Sequence, residues 1–343
     1  MTKYSFKNDY AEGCHPKILE SLMNSNSSQR EGYGEDEYCF QAKRYIQKHL
    51  ESTENSIYFL SWGTQANLTF ISAVLRPHES VIAVTSWHIA IHEAGAIEST
   101  GHKVCTVPGL NGKIYPKDIQ SVLDTHTDLH MVKPRMVYIS QSTEIGTIYT
   151  KSELEAISDC CKTNNLYLFM DGARIWSALC ADWSDLTLPI IANLVDAFYI
   201  GGTKNGALFG EALIIINPLL DIDFWYSVKQ KWALLAKWSI LGIQFLELFR
   251  DNLFFDLAHH ANTMAMKLVA WFQEWNYLFL TDSSTNQIFP ILPNSLIDTL
   301  AEKYDFYIWE KVDTNNSAIR LVTSWATLEE QIDSFVHDLR INK

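Results

Sequence analysis

The stretch that decides the fold is LYLFMDGAR, residues 166–174. Its first five residues are apolar and predict a buried strand, and Asp171 follows at the point where that strand ends. The stretch DAFYIGGTKNG, residues 196–206, has the same form, with an apolar run followed by a glycine-rich loop that carries Lys204. One crossover separates the two, so the acid and the amine are expected at one edge of a parallel sheet.

Strand-like and helix-like segments alternate around these two stretches. β-Branched and aromatic runs predict strands at 57–61, 80–85, 103–107, 136–140, 166–170, 196–200 and 211–216. Helical spacing between them predicts helices at 65–75, 87–99 and 151–163. Thr150 and Glu153 have the spacing of a capping box at the start of the last helix. This alternation predicts an α/β fold with a mainly parallel seven-stranded sheet and helices on both faces.

The pattern changes after about residue 218. Residues 224–255 predict one long helix, and a further helix is expected at 257–275. The remaining segments predict strands at 277–281, 287–290, 306–311 and 318–322 and helices at 295–303 and 328–340. We therefore expect a large domain at residues 1–240, including an N-terminal arm, and a smaller C-terminal α+β domain at residues 241–343.

Composition excludes several classes of protein. The 343 residues are 47% hydrophobic and have a formal net charge of −13, which argues against nucleic-acid and acidic-membrane partners. The polar start and the absence of a long apolar run predict a cytoplasmic protein with no membrane segment. The six cysteines have no CxxC spacing, which predicts free thiols and no metal site.

The segment Trp62-Gly63-Thr64 follows the first of these predicted strands and begins a helix. Free backbone N–H groups and the helix dipole make such a position suitable for binding a phosphate group. A glycine and a hydroxyl at a helix start are also common as a simple N-cap. The segment alone does not decide between the two interpretations.

The combination of Asp171 and Lys204 is what pyridoxal phosphate (PLP) requires. A carboxylate keeps the pyridine nitrogen protonated, so that the ring accepts electrons, and an amine forms the imine. His88, after another predicted strand, offers an aromatic ring that could stack on the cofactor and accept a proton. Taken singly, each residue is more often a turn cap, a solvated charge or a packed histidine, so the hypothesis depends on their combination.

The whole chain resembles a known family, the PLP-dependent threonine aldolases of the β-eliminating lyase superfamily, which have the aspartate aminotransferase fold (fold type I). The resemblance covers nearly the full length, in collinear blocks. These blocks are Asn8-Asp9 with Gly13 and His15-Pro16, GYGED at 32–36, GTQAN at 63–67, His88 with EAG at 93–95, QSTEIGT at 141–147, DGAR at 171–174, GGTKNG at 201–206 and RLVTSW at 320–325.

The resemblance implies a role for each matching position. Lys204 forms the imine with PLP, Asp171 binds the pyridine nitrogen and His88 stacks on the ring and takes part in base catalysis. Gly63 and Thr64 hold the phosphate. The residues implied in substrate binding are Arg174 and Arg320, which clamp the α-carboxylate, with Asn8 and Glu144, and Lys229, a basic position that adds charge near the phosphate.

Three positions depart from the family pattern. Asn8 stands where a serine is frequent, Phe169 where many members have histidine, and Glu144 where another histidine is frequent. Because Phe169 and Glu144 fall where the β-hydroxyl is recognised, the resemblance does not specify threonine or allo-threonine geometry.

The expected activity is cleavage of the Cα–Cβ bond of a β-hydroxy-α-amino acid to glycine and an aldehyde, acetaldehyde for threonine. His88, or a water that it orders, would take the β-hydroxyl proton. The resemblance also implies a homodimer or homotetramer with the active site at the subunit interface. The alternatives are a β-eliminating lyase, a phenylserine-type aldolase, or a non-catalytic protein of this fold, which would be expected to lack Lys204 or Asp171.

Overall fold

A computed structural model describes residues 3–342. The strands are β1 Tyr4–Ser5, β2 Ser56–Leu60, β3 Glu79–Val84, β4 Val104–Val107, β5 Lys133–Ser140, β6 Tyr167–Asp171, β7 Ala197–Gly201, β8 Glu211–Ile215, β9 Gln287–Ile288, β10 Ile291–Pro293, β11 Tyr304–Asp305, β12 Tyr307–Lys311 and β13 Asn316–Val322. The α-helices are α1 Pro16–Ser25, α2 Glu37–His49, α3 Gly63–Val74, α4 His88–Ile91, α5 Pro116–Thr125, α6 Lys151–Thr163, α7 Ile175–Leu179, α8 Leu188–Leu194, α9 Phe224–Gln230, α10 Ser239–Arg250, α11 Leu253–Glu274, α12 Asn294–Leu300 and α13 Glu329–Ile341.

Within the described residues, seven strands form the large sheet in the order β2-β8-β7-β6-β5-β3-β4. The four pairs from β7 to β4 are parallel, whereas β8 runs antiparallel to both of its neighbours. Every residue of β3, β7 and β8 is buried, as expected for a sheet covered on both faces. The predicted mainly parallel seven-stranded sheet is confirmed, and each of its strands lies within a few residues of its predicted position.

The capping box at the start of α6 is also confirmed. The Glu153 backbone N–H donates to the Thr150 hydroxyl oxygen, and the Thr150 N–H donates to the Glu153 carboxylate at 2.9 Å. The predicted helix at 87–99 is wrong, because α4 ends after one turn. Ala94 and Gly95 have positive φ angles of 50° and 74°, which turn the chain out of the helical path.

The single long helix predicted at 224–255 is wrong as well. The structure has two helices there, α9 and α10, and α11 begins before residue 255. Trp232 and Asn252 both have φ angles of 60°, which a right-handed helix does not accommodate. The first follows the end of α9, and the second separates α10 from α11. Trp238, between α9 and α10, is buried, and its indole N–H donates to the Phe59 carbonyl oxygen.

The C-terminal part contains a small antiparallel sheet in the order β10-β13-β12, with β9 also paired to β13. The expected strand at 277–281 is wrong, because only Phe279 forms an isolated bridge there. The expected helices at 295–303 and 328–340 are present as α12 and α13. Helix α11 contributes to two hydrophobic cores. Its buried residues up to Ala261 pack in the core of the large sheet, and those from Met264 onward pack in the core of the C-terminal part. The domain boundary at residue 240 stays a prediction.

Two expectations from composition concern cysteines and membranes. All six cysteines are free thiols, and all but the half-buried Cys160 are buried. In residues 3–342, no helix has the length and apolarity needed to cross a membrane.

Gly172 is the glycine for which the fold leaves the least room. A Cβ atom there would lie 1.8 Å from the Tyr199 backbone oxygen, because β6 and β7 approach closely just after Asp171. We expect Gly172→Ala to lower the free energy of unfolding by about 1–3 kcal/mol or more, since the backbone must shift. Gly13→Ala is the matched control, because nothing lies within 4 Å of its added Cβ. Equal urea midpoints for the two variants would contradict this prediction.

Candidate active site

A cavity of about 730 Å³ lies at the edge of the large sheet where its parallel strands end. Asp171 ends β6, Lys204 follows β7, Gly63 begins α3 after β2, and His88 begins α4 after β3. Eight of the residues predicted from the sequence line this cavity: Gly63, Thr64, His88, Glu144, Asp171, Arg174, Lys204 and Arg320. The sheet therefore brings the predicted lysine and acid to one site.

Asp171 is buried and held by several donors. Its Oδ1 accepts from the Ala173 N–H at 2.9 Å, and its Oδ2 accepts from the Tyr138 hydroxyl and, at 3.5 Å, from Asn67 Nδ2. Burial and the charge of Asp171 raise the pKa of Tyr138 and of Tyr199 well above the ordinary tyrosine range. Both phenols therefore keep their protons and can donate to the carboxylate, which fixes its direction.

Lys204 lies in a tight loop that returns the chain from β7 to β8. The N–H groups of Gly202 and Thr203 both donate to the Gly210 carbonyl oxygen, which closes this loop. Burial and the charge of Arg174 lower the pKa of Lys204, against the opposing charges of Asp9 and other acids. A lowered pKa increases the fraction of neutral amine, the form that attacks a carbonyl carbon.

The start of α3 supplies an anion-binding position in the cavity lining. Trp62 is the N-cap residue, and among the described residues no side chain caps this helix. The N–H groups of Gly63 and Thr64 are therefore available, and the helix dipole favours negative charge there. A Cβ at Gly63 would lie 3.0 Å from the Tyr199 hydroxyl, so glycine keeps this approach open. The arrangement fits a phosphate group.

His88 belongs to a hydrogen-bonded series that the sequence did not predict. Its Nδ1 lies 2.8 Å from Glu93 Oε1, and that oxygen also accepts from Asn67 Nδ2 at 2.8 Å. Burial alone would lower the pKa of His88, but the Glu93 bond and the charges of Asp171 and Glu144 raise it above its ordinary value. Glu93 belongs to the EAG block at 93–95, for which the resemblance implies no role.

Asp9 occupies part of the predicted carboxylate clamp. Arg174 Nε and Nη2 donate to the two oxygens of Asp9 at 2.7 and 3.0 Å, and Asn286 Nδ2 donates to Asp9 at 2.9 Å. Burial opposes the charge on Asp9, but the charges of Arg174 and Lys204 hold its pKa below the ordinary value. Asp9 thus fixes the position of the Arg174 guanidinium in the cavity lining and offsets part of its charge. Its pairing with Asp9 spans 165 residues and was not predicted.

Arg320 is the more available guanidinium of the two. It lies 5.3 Å from the ring centres of both Tyr307 and Trp309, and its Nη2 donates to the Lys7 carbonyl oxygen at 2.9 Å. Its Nε is buried and finds no hydrogen-bond partner within residues 3–342. Aromatic rings therefore orient this cation while leaving it a donor for an anionic ligand.

Two predicted residues lie outside the cavity lining. Asn8 accepts from the Tyr10 N–H at 3.1 Å, and the Lys229 ammonium lies 5.3 Å from the Tyr33 ring centre. Phe169 is fully buried beneath the site, with its ring centre 4.5 Å from that of Phe70. Glu144 does line the cavity, and it is half-buried.

A mainly parallel sheet with a lysine, a buried acid and an open helix start around one cavity defines the class of PLP-dependent enzymes with fold type I. The fold agrees with solved structures. A structure described as Leishmania major threonine aldolase matches with a TM-score of 0.97 and 49% identity, over 98% of this chain and 99% of that one. A Thermus thermophilus aspartate aminotransferase matches in fold, with a TM-score of 0.72 at 13% identity, over 99% of this chain and 92% of that one.

Sequence comparisons reach the same group. The family model for β-eliminating lyases matches residues 15–288. The low-specificity L-threonine aldolase of Pseudomonas aeruginosa is 32% identical over 98% of this chain and 97% of its own length. The chain therefore belongs to the β-eliminating lyase family, and its relatives there include threonine aldolases.

Proposed function

We propose that this protein is a PLP-dependent threonine aldolase, which cleaves threonine or allo-threonine to glycine and acetaldehyde. The observation that carries the proposal is the convergence of Lys204, Asp171, the open start of α3 and His88 on one cavity. Full-length similarity to threonine aldolases supports the same activity. All four features lie where ligands bind in sheets of this kind.

Each part of the cavity has a separate task in this proposal. Lys204 would hold PLP covalently, Asp171 would bind its pyridine nitrogen, and the N–H groups of Gly63 and Thr64 would bind its phosphate. When bound, PLP supplies an acceptor for the electron pair left at Cα after bond cleavage. The buried Asp171 carboxylate, with its donors fixed, keeps a positive charge at the ring nitrogen favourable.

The arginines and His88 would act on the substrate. Arg320, which lines the cavity, would bind the α-carboxylate, and Arg174, which Asp9 holds in place, would lie beside it. Neutral His88 would take the β-hydroxyl proton at its free Nε2, because Nδ1 is bonded to Glu93. Glu144 faces the same space, where it would help to orient the hydroxyl.

The Glu93 contact makes a testable prediction about pH. Glu93→Gln removes the negative charge that raises the pKa of His88, so that pKa should fall. Because the base must be neutral to accept a proton, the acid side of the kcat/KM profile should move to lower pH. The maximum value of kcat/KM should fall by about tenfold, since a weaker base accelerates proton transfer less. Glu98→Gln, at an exposed glutamate nearby, is the control. An acid side that stays in place or moves to higher pH would contradict the assignment.

Product analysis tests the proposed activity against its alternatives. The purified protein with PLP is incubated with L-threonine, L-allo-threonine and phenylserine, and glycine, aldehyde and ammonia are measured separately. We expect glycine and acetaldehyde in equal amounts from at least one threonine isomer. Release of ammonia with a keto acid would instead identify a β-eliminating lyase, and benzaldehyde alone would identify a phenylserine-type aldolase. A protein that binds PLP and forms no product would be non-catalytic.

We also propose a homodimer or homotetramer with the active site at the subunit interface. Three large aromatic side chains in and after α9 are exposed: Trp225 by 37%, Tyr226 by 76% and Trp232 by 87%. Exposed apolar groups so close together are typical of an interaction surface. Lys229 lies in the same segment, so its predicted action near the phosphate requires a second subunit.

A cytoplasmic location is proposed too, and the six free thiols support it.

A further inference from the structure

Glu211 is a buried acid in the cavity that the proposed reaction does not yet use. It is the first residue of β8 and pairs with Gly201 on β7 and with Leu60 on β2. Because β8 runs antiparallel to its neighbours, its first residue lies at the same sheet edge as Lys204. Both residues line the cavity, and Glu211 is only 4% exposed.

The two oxygens of Glu211 differ in their bonding. Oε1 accepts from the Thr203 hydroxyl at 2.9 Å, and the same hydroxyl oxygen accepts from the Gly210 N–H at 2.9 Å. Oε2 is buried, and no group in the part of the chain that the structure describes bonds to it. Leaving a buried carboxylate oxygen without a hydrogen-bond donor costs free energy. This oxygen should therefore either carry a proton or accept a hydrogen bond from a proton-bearing group.

The charges around Glu211 come from three neighbouring elements. Burial and, to a smaller extent, the charge of Asp171 on β6 raise its pKa to about 8, against the opposing effects of the Thr203 hydroxyl and Lys204. Tyr199 on β7 also lies nearby and stays neutral, because its own pKa is raised well above the ordinary range. Lys204 is the cation in the cavity lining whose charge acts on Glu211.

The other acids near Lys204 are engaged elsewhere. Asp9 is held by Arg174, and Asp171 accepts from Tyr138 and a backbone N–H. Glu144 acts on both His88 and Lys204, and its side chain is only half-buried. Among these four acids, Glu211 combines nearly complete burial with an oxygen that lacks a donor.

We propose that Glu211 sets the protonation of Lys204, as a positioning residue that acts through the lysine. When ionised, its carboxylate stabilises the ammonium form of Lys204. When the carboxyl group carries a proton, that stabilisation is lost and the amine becomes neutral more readily. The inference rests on the proposed function in one respect: Lys204 must become a neutral amine to join PLP and must be released in each turnover.

The test measures the protonation of Lys204 in the protein without PLP, so it does not depend on aldolase activity. Acetic anhydride reacts with an amine only in its neutral form, and mass spectrometry gives the labelling rate of Lys204 relative to the exposed Lys17 from pH 6 to pH 10. The variants are Glu211→Gln and, as control, Glu247→Gln, at a buried glutamate bonded to Ser21 and Arg250.

At pH 6, where Glu211 is neutral, we expect equal labelling of Lys204 in the wild type and in Glu211→Gln. At pH 9 the wild-type carboxylate stabilises the ammonium group, so Lys204 should label about tenfold faster in Glu211→Gln, which corresponds to one pKa unit. Glu247→Gln should follow the wild type throughout. A purely structural role would change labelling equally at both pH values or not at all.

Superimposed profiles of the wild type and Glu211→Gln would overturn the proposal. If Glu211→Gln does not fold, Glu211→Asp replaces it, because the shorter carboxylate lies farther from the amine. Lys204 of this variant should then also label faster than the wild type at pH 9, by a smaller factor. A labelling rate equal to that of the wild type would overturn the proposal. A protein that shows the labelling shift but forms no aldehyde would refute the proposed function and leave this inference standing.

Discussion

Lys204→Ala eliminates the imine absorbance of the protein with PLP and lowers threonine cleavage by a factor on the order of 10³ to 10⁶. The effect is large because the only amine described in the cavity lining is lost, and with it the covalent attachment of PLP. Absorbance spectra and acetaldehyde release, measured on the same preparation, check the two parts of this prediction.

Lys17→Ala is the matched control for the lysine substitution. Lys17 is exposed on α1 and lies outside the cavity lining, so this variant should keep both the absorbance and the activity. Unchanged absorbance in Lys204→Ala would show that PLP joins another amine, and the assignment of Lys204 would then be wrong.

Asp171→Asn is the second substitution with a large expected effect. We expect kcat to fall by about 10²–10³-fold, comparable to the loss of one preorganised charge contact in an active site. An amide cannot hold the pyridine nitrogen protonated, so PLP would accept the electron pair less readily. The fold should persist, because the size of the side chain is nearly unchanged. Steady-state kinetics and thermal unfolding of the variant measure the two properties separately.

The exposed Asp182, which follows α7 outside the cavity, supplies the control for Asp171. Asp182→Asn should leave kcat unchanged. A kcat for Asp171→Asn within about fivefold of the wild type would mean that the carboxylate does not act on the reacting group, because a change this small is about 1 kcal/mol.

Much of the large sheet could be predicted because each strand is a short apolar run between helical or polar segments. The same local pattern placed Asp171 and Lys204 at strand ends, and the sheet topology brings them together. The break after α9 could not be predicted. Residues 224–238 contain neither glycine nor proline, and the positive φ angle falls on a tryptophan, where no local preference indicates it.

The parts of the site that the sequence did not predict depend on distant contacts. Asp9 reaches Arg174 because the N-terminal arm packs with the C-terminal core, where β1 pairs with β11. Glu93 reaches His88 because α4 ends after one turn, in place of the expected longer helix. Glu211 did leave a signal, a charged residue at the start of the apolar strand EALII.

Borohydride reduction followed by peptide mapping tests the central claim most directly. The wild-type protein is saturated with PLP and reduced, which makes the link to any lysine permanent, and the digested peptides are sequenced by mass spectrometry. We predict a single pyridoxyl group per chain, on Lys204. A pyridoxyl group on another lysine, or no modified lysine at all, would contradict the assignment of this cavity as a PLP site.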